Sequence, residues 1–206
     1  MLLKEYYRKI VNDNDAQTGG WSTYYYGVFS QIINDYNYKV AAEVGIGYGT
    51  HAKELLKNTN LTMLYLIDPM KYYPNDAFAK DIMGQTPDIQ GNQFNELHDL
   101  IREELTPYNN RFIWFRKESL TVMNEDISNG MLDCIFIDGD HSYEAVLADL
   151  QFWWEKVRVG GQVLGDDYWM DDVARAVHVF AEQKSLTVDF LYRPGTSYKI
   201  YRFHKS

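Results

Sequence analysis

The sequence predicts an α/β fold, a doubly wound parallel sheet with helices on both faces and a short helical cap at the N-terminal end. Three observations predict it. Apolar runs of strand length recur along the chain, several ending on an acid or a glycine turn. The segments between them are long enough for the crossover helices that parallel strands require. One of them, residues 142–157, carries Val146, Leu147, Leu150, Trp153, Trp154 and Val157 at three- and four-residue spacing, which is a single buried stripe.

The elements follow in order. Residues 1–38 are polar, aromatic and weakly periodic, with Gly19 and Gly20 as a breaker, and read as a cap segment ahead of a domain over 39–206. Residues 39–45 form a short apolar run entering a glycine turn, and residues 50–57 a helix. Residues 61–68, 111–116 and 131–138 are further strands, the last apolar enough to be buried on both faces. The stripe helix is expected to end at Gly160-Gly161, with a fifth strand over 161–166 and a helix over 171–184. Residues 186–191 and 197–203, on either side of Pro194-Gly195, predict a terminal hairpin.

A chain of 206 residues suffices for one α/β domain with a sizeable core. Its net charge of −9 disfavours wrapping a nucleic-acid backbone, which needs clustered Lys and Arg, so no nucleic-acid partner is expected. Cys134 is the single cysteine, so an intrachain disulfide is excluded. No apolar run approaches the roughly 18–20 residues that span a bilayer. Residues 1–10 turn charged too early for a secretory leader, and a soluble, cytoplasmic protein without membrane contact is the expectation. The 17 tyrosines, among them Tyr24, Tyr25, Tyr26, Tyr72 and Tyr73, read first as compositional bias.

The first strand runs into Glu43-Val-Gly45-Ile-Gly47-Tyr-Gly49-Thr50. Three glycines at alternate positions let the chain turn tightly and let a ligand approach the backbone. The dinucleotide fingerprint needs a glycine where Thr50 stands, and no phosphate-loop lysine follows. Glu43 would repel a pyrophosphate and suits a cationic ligand such as an amine or sulfonium. Asp68, at the end of the second strand, is placed to accept hydrogen bonds from ribose hydroxyls. Together they describe a pocket for an adenosyl group with a positively charged tail.

The fourth strand ends Ile137-Asp138-Gly139-Asp140-His141 and the fifth Gly165-Asp166-Asp167. Parallel strands bring both ends to the edge that carries the glycine turn, so Asp138, Asp166 and Asp167 are expected to converge. Three carboxylates with open water positions suit Mg²⁺ better than Zn²⁺. His141, three residues past Asp138, is placed to take a proton from a substrate hydroxyl. Asp140 reads as a helix N-cap. His51, His98, His178 and His204 lack such company and read as surface or core residues. Cys134 reads as an inert buried thiol, and Trp153 and Trp154 as core.

The glycine turn, Asp68 and above all the run FIDGDHSYEAVLADLQFWWEKVRVGGQVLGDDYW over residues 136–169 resemble the class I S-adenosylmethionine-dependent methyltransferases. Within them the chain is similar to methyltransferase family 24, the group of the macrocin and mycinamicin sugar O-methyltransferases, over roughly residues 39–203. The resemblance implies a Rossmann-like seven-stranded sheet with an antiparallel last strand. It implies that Glu43, Gly45, Gly47 and Gly49 border the methionine moiety, Asp68 the ribose and Ser119 the adenine, with Asp138 also at the cofactor. It implies Mg²⁺ on Asp138, Asp166 and Asp167, and His141 as the base. The resemblance identifies no residue for the further acidic ligand that some sugar members contribute from elsewhere, and it does not extend to residues 1–38. Association into a homodimer is a further expectation from the resemblance.

The expected reaction is O-methylation of a sugar or other small-molecule hydroxyl, in which oxygen, methyl carbon and sulfur must be aligned and the hydroxyl proton removed. Trp21, Tyr24, Tyr25 and Tyr26 are expected to line the acceptor side of the cleft. Rival readings are a catechol or amine acceptor, a non-catalytic nucleoside-binding scaffold, and a nicotinamide-dependent oxidoreductase, against which Glu43 and the glycine spacing both count.

Overall fold

A computed structural model describes residues 1–12, 26–73, 77–85, 92–192 and 197–206. Helices α1 (Leu3–Asn12) and α2 (Tyr26–Asp35) precede strand β1 (Val40–Val44). Then come α3 (Thr50–Asn58), β2 (Met63–Ile67), α4 (Ala77–Gln85), α5 (Gln93–Leu105), β3 (Phe112–Phe115), β4 (Leu132–Ile137) and α6 (Tyr143–Lys156). Strand β5 (Val157–Gly165), α7 (Asp171–Lys184), β6 (Asp189–Tyr192) and β7 (Lys199–His204) complete the order. Among the described residues, seven strands form one sheet in the order β3-β2-β1-β4-β5-β7-β6. β1 to β5 pair in parallel, and β7 runs antiparallel to both β5 and β6.

Strand alternation divides the core between the two faces. Ala41, Leu64, Leu66, Cys134, Phe136 and Leu164 face one way, against the apolar sides of α1 to α5. Ala42, Val44, Ile67, Ile135, Ile137 and Val163 face the other way, against α6 and α7. The central strands are therefore apolar on both sides, as expected of a sheet covered twice. The cap helices share that first core: Leu3, Tyr6, Tyr7 and Ile10 of α1 and Phe29, Ile32 and Ile33 of α2 are buried in it.

One boundary differs from expectation. Helix α6 passes directly into β5 at Val157, and Gly160-Gly161 lie inside the strand rather than ending the helix. Val157 and Val159 are β-branched and favour extended backbone. The glycines make an irregularity: Gly160 has φ +79°, and a Cβ on Gly161 would lie 2.5 Å from the Asp133 carbonyl oxygen. The β4–β5 register shifts at the same place.

Candidate active site

The registers bring four strand ends to one level. Val44 pairs with both Ile67 and Ile137, and Ile137 pairs with Gly165. The next amides continue the ladder: Gly45 N–H donates to Ile67 O (2.9 Å), Asp138 N–H to Val44 O (2.8 Å) and Asp166 N–H to Ile137 O (3.2 Å). Asp68, Gly45, Asp138 and Asp166 thus stand side by side along the carboxyl edge. β1 and β4 flank the point where strand order reverses, the place where such sheets bind ligands.

Gly45, Gly47 and Gly49 all have positive φ. Gly45 is required by close packing as well, because a Cβ there would lie 2.0 Å from the Asp138 carbonyl oxygen. A Cβ on Gly49 would meet Ile101 of α5 at 2.6 Å. The turn is tied down by Asp68, whose Oδ2 accepts from Ile46 N–H (2.9 Å) and whose Oδ1 accepts from Met70 N–H (2.6 Å). Tyr48, within the turn, donates its hydroxyl to Asp81 Oδ2 of α4, as does Tyr6 of α1.

Glu43 is 2% exposed and its Oε1 lies 3.1 Å from His51 Nδ1. Its Oε2 is buried without a hydrogen-bond partner among the described residues. Burial alone would lower the His51 pKa, but the charges of Glu43, Glu54 and Asp138 outweigh it and the net shift is upward. Ser119 sits in a hydrogen-bond chain: Trp153 Nε1–H donates to Ser119 Oγ (2.7 Å), which donates to Asp149 Oδ1 (2.5 Å).

His141 lies between two carboxylates. Its Nε2 is 2.9 Å from Asp167 Oδ2 and 3.4 Å from Asp138 Oδ1. Burial would lower its pKa, but hydrogen bonds to Asp138 and Asp167 prevail and push it up to about 10. Burial would raise Asp167, yet its bonds from His141, Trp169 and Tyr198 hold it below the usual carboxylate value. Asp138, His141 and Asp167 offer ligand atoms within 4.8 Å of one another. Asp166 does not join that group. Successive strand-end residues point to opposite sides, and Asp166 is buried beside the Tyr198 hydroxyl, whereas Asp167, at φ +52°, reaches His141. Asp140 Oδ1 accepts from Ser142 N–H (2.7 Å), so it holds the N-cap residue of α6 rather than being the cap.

Residues 42–168, more than half of the chain, match the family model described as a methyltransferase domain, methyltransferase family 24. The chain belongs to this family of S-adenosylmethionine-dependent methyltransferases. An uncharacterized protein of Acanthamoeba polyphaga mimivirus is 28% identical over 142 residues, which cover 66% of this chain and 56% of that relative. The O-methyltransferase of Bacillus cereus, solved in complex with S-adenosylhomocysteine, shares the fold with TM-score 0.62 and 13% identity, over 98% of this chain and 89% of that one. An S-adenosylmethionine-dependent O-methyltransferase of Thermotoga maritima superposes with TM-score 0.56 at 10% identity, over 87% and 64%. The N-methyltransferase NodS of Bradyrhizobium japonicum does so with TM-score 0.54 at 11% identity, over 86% and 93%.

In this family member, sequence reasoning missed His51, which the fold seals against Glu43 and packs on the rings of Phe29 and Phe136. Its spacing, eight residues past Glu43 and on the first turn of a helix, was the only signal. It also missed Tyr73, whose hydroxyl donates to Glu118 Oε1 (2.6 Å) on the Asp68 side of the edge. Trp21, Tyr24 and Tyr25, and the side chain of Tyr26, lie outside the described residues.

Proposed function

We propose that this methyltransferase moves the methyl group of S-adenosylmethionine to a hydroxyl oxygen of a small molecule, a sugar or a related hydroxyl compound. The observation that carries this reading is the meeting of Asp138, His141 and Asp167 at the strand ends beside the glycine turn. The sulfonium is already a good leaving group, so the protein's tasks are alignment and removal of one proton. The buried, unsatisfied Glu43 Oε2 fits a cationic tail. In this reading Glu43, Gly45, Gly47 and Gly49 border the methionine moiety. Asp68, which holds Ile46 and Met70, borders the ribose, and Ser119 and Asp138 border the nucleoside.

His141 Nε2 is the proton acceptor. At neutral pH the two carboxylates keep that nitrogen protonated, so the base must first be released. The carboxylates of Asp138 and Asp167 fit a hard divalent cation such as Mg²⁺, with water completing its shell. Bound at Asp138 and Asp167, such an ion would supply charge that lowers the hydroxyl pKa and ends their hold on the His141 proton. Nε2 cannot ligate an ion and accept a proton at once, so as base His141 stands outside the ligand set. Asp166 serves the site through Tyr198.

The test is calorimetric titration with S-adenosylhomocysteine, with and without Mg²⁺, followed by methyl-transfer assays on sugars and phenols. Binding lost in Asp68→Ala is expected. In His141→Ala, binding is kept while turnover falls about 10²–10⁴-fold. No binding under either condition would overturn the reading.

A further inference from the structure

We infer that Trp169 is the platform on which the methyl acceptor lies, and that the acceptor presents a hydroxylated six-membered ring to its indole face. The inference rests on the O-methyl transfer reading. Trp169 is 69% exposed, unusual for an indole, which is normally largely buried. Its neighbours Tyr168 and Met170 pack against the α6–α7 core, so the segment is anchored on both sides while Trp169 alone stands out of it.

The ring is nevertheless held. Its Nε1–H donates to Asp167 Oδ1 at 2.7 Å, and the Tyr198 hydroxyl donates to the same oxygen at 3.0 Å. The other oxygen of that carboxylate, Oδ2, faces His141 Nε2. Asp167 therefore divides its two oxygens between the proton acceptor and an aromatic pair. Its left-handed backbone, φ +52°, is tolerated by aspartate and marks a built position. An indole pinned by one edge keeps its π face for a ligand, and a single carboxylate links that face to the proton-accepting nitrogen. A pinned ring loses little conformational entropy on binding. Aryl rings and the C–H face of a sugar offer the same chemistry to it.

Two measurements test this. Acrylamide quenching of tryptophan fluorescence is compared between the wild type and Trp169→Phe, in the presence of S-adenosylhomocysteine. Catechol and methyl glucoside are added in turn as probes. Protection of the Trp169 component by either supports the platform, and which one protects identifies an aryl or a sugar source. No protection by either probe overturns it. In the transfer assay, Trp169→Leu is expected to raise the acceptor KM about tenfold while S-adenosylhomocysteine affinity changes less than twofold. An unchanged KM also overturns the inference. Loss of S-adenosylhomocysteine binding in the wild type would instead count against the transfer reading itself.

Discussion

His141 shows how one proton reconciles three groups. Asp138 and Asp167 approach the same nitrogen, and the imidazolium supplies the positive charge that makes their proximity tolerable. The consequence is a pH signature. The folded pKa of about 10 exceeds the ordinary 6.5 of an unfolded histidine. The group therefore binds more protons when folded. Its contribution to stability is full below about pH 6.5 and is lost as pH rises towards 10. In chelator-treated protein, the gap in urea midpoint between the wild type and His141→Gln is expected to be widest at pH 6 and to close by pH 10. A gap that stays constant across that range would contradict the pairing. Glu43 and His51 make a second carboxylate–imidazole pair, this one fully buried, on the α2–α3 side of the sheet.

Helix α6 joins the candidate site to the core. Its apolar stripe fills the second face of the sheet, and Asp149 and the indole N–H of Trp153 on it reach Ser119, just past β3. Trp153 is fully buried yet satisfies its N–H on Ser119, and Ser119 in turn donates to Asp149. Burial raises the Asp149 pKa from 3.8 to about 6, with Asp140 adding to the shift and the Ser119 hydrogen bond opposing it. A raised carboxylate costs stability as pH climbs between those two values. Asp149→Asn is expected to match the wild type near pH 3.5 and to exceed it by about 1–3 kcal/mol at pH 8, read from urea unfolding. An equal pH dependence in both proteins would mean the carboxyl is not buried as described. The β1–β4 contact is equally particular, since Gly45 leaves no room for a Cβ against the Asp138 carbonyl.

At the scale of the whole molecule, the cap helices and the sheet share one core, so α1 and α2 stabilise the face of the sheet beneath the glycine turn. A ligand that binds only the folded state stabilises it by mass action. At a hundredfold excess over Kd, S-adenosylhomocysteine should add about 2.7 kcal/mol, a rise in Tm of roughly 5–10 °C for a chain of this size. Calorimetric scans check this, and removing divalent ions with a chelator is expected to leave that shift in place while transfer activity falls. An activity insensitive to the chelator would remove the cation from the proposal. No helix of the described residues is long and apolar enough to cross a membrane.

The sequence by itself determined the α/β class, nearly every strand, the limits of the last helix at Asp171 and Lys184, and the gathering of the strand-end acids on the edge that carries the glycine turn. Those features are local: hydrophobic periodicity, glycine runs and strand-terminal acids are written in consecutive residues. It placed the start of β5 at residue 161 instead of 157, because Gly-Gly reads as a stop as readily as a strand irregularity, and only pairing with β4 distinguishes them. The tertiary structure decided that Asp167 rather than Asp166 meets His141, that Glu43 is matched by His51, and that Ser119 is engaged by Trp153 and Asp149. Each depends on side-chain direction and on contacts between residues far apart in sequence. Spacing along a chain specifies which strand end a residue occupies, whereas packing of the surrounding elements settles which way its side chain points.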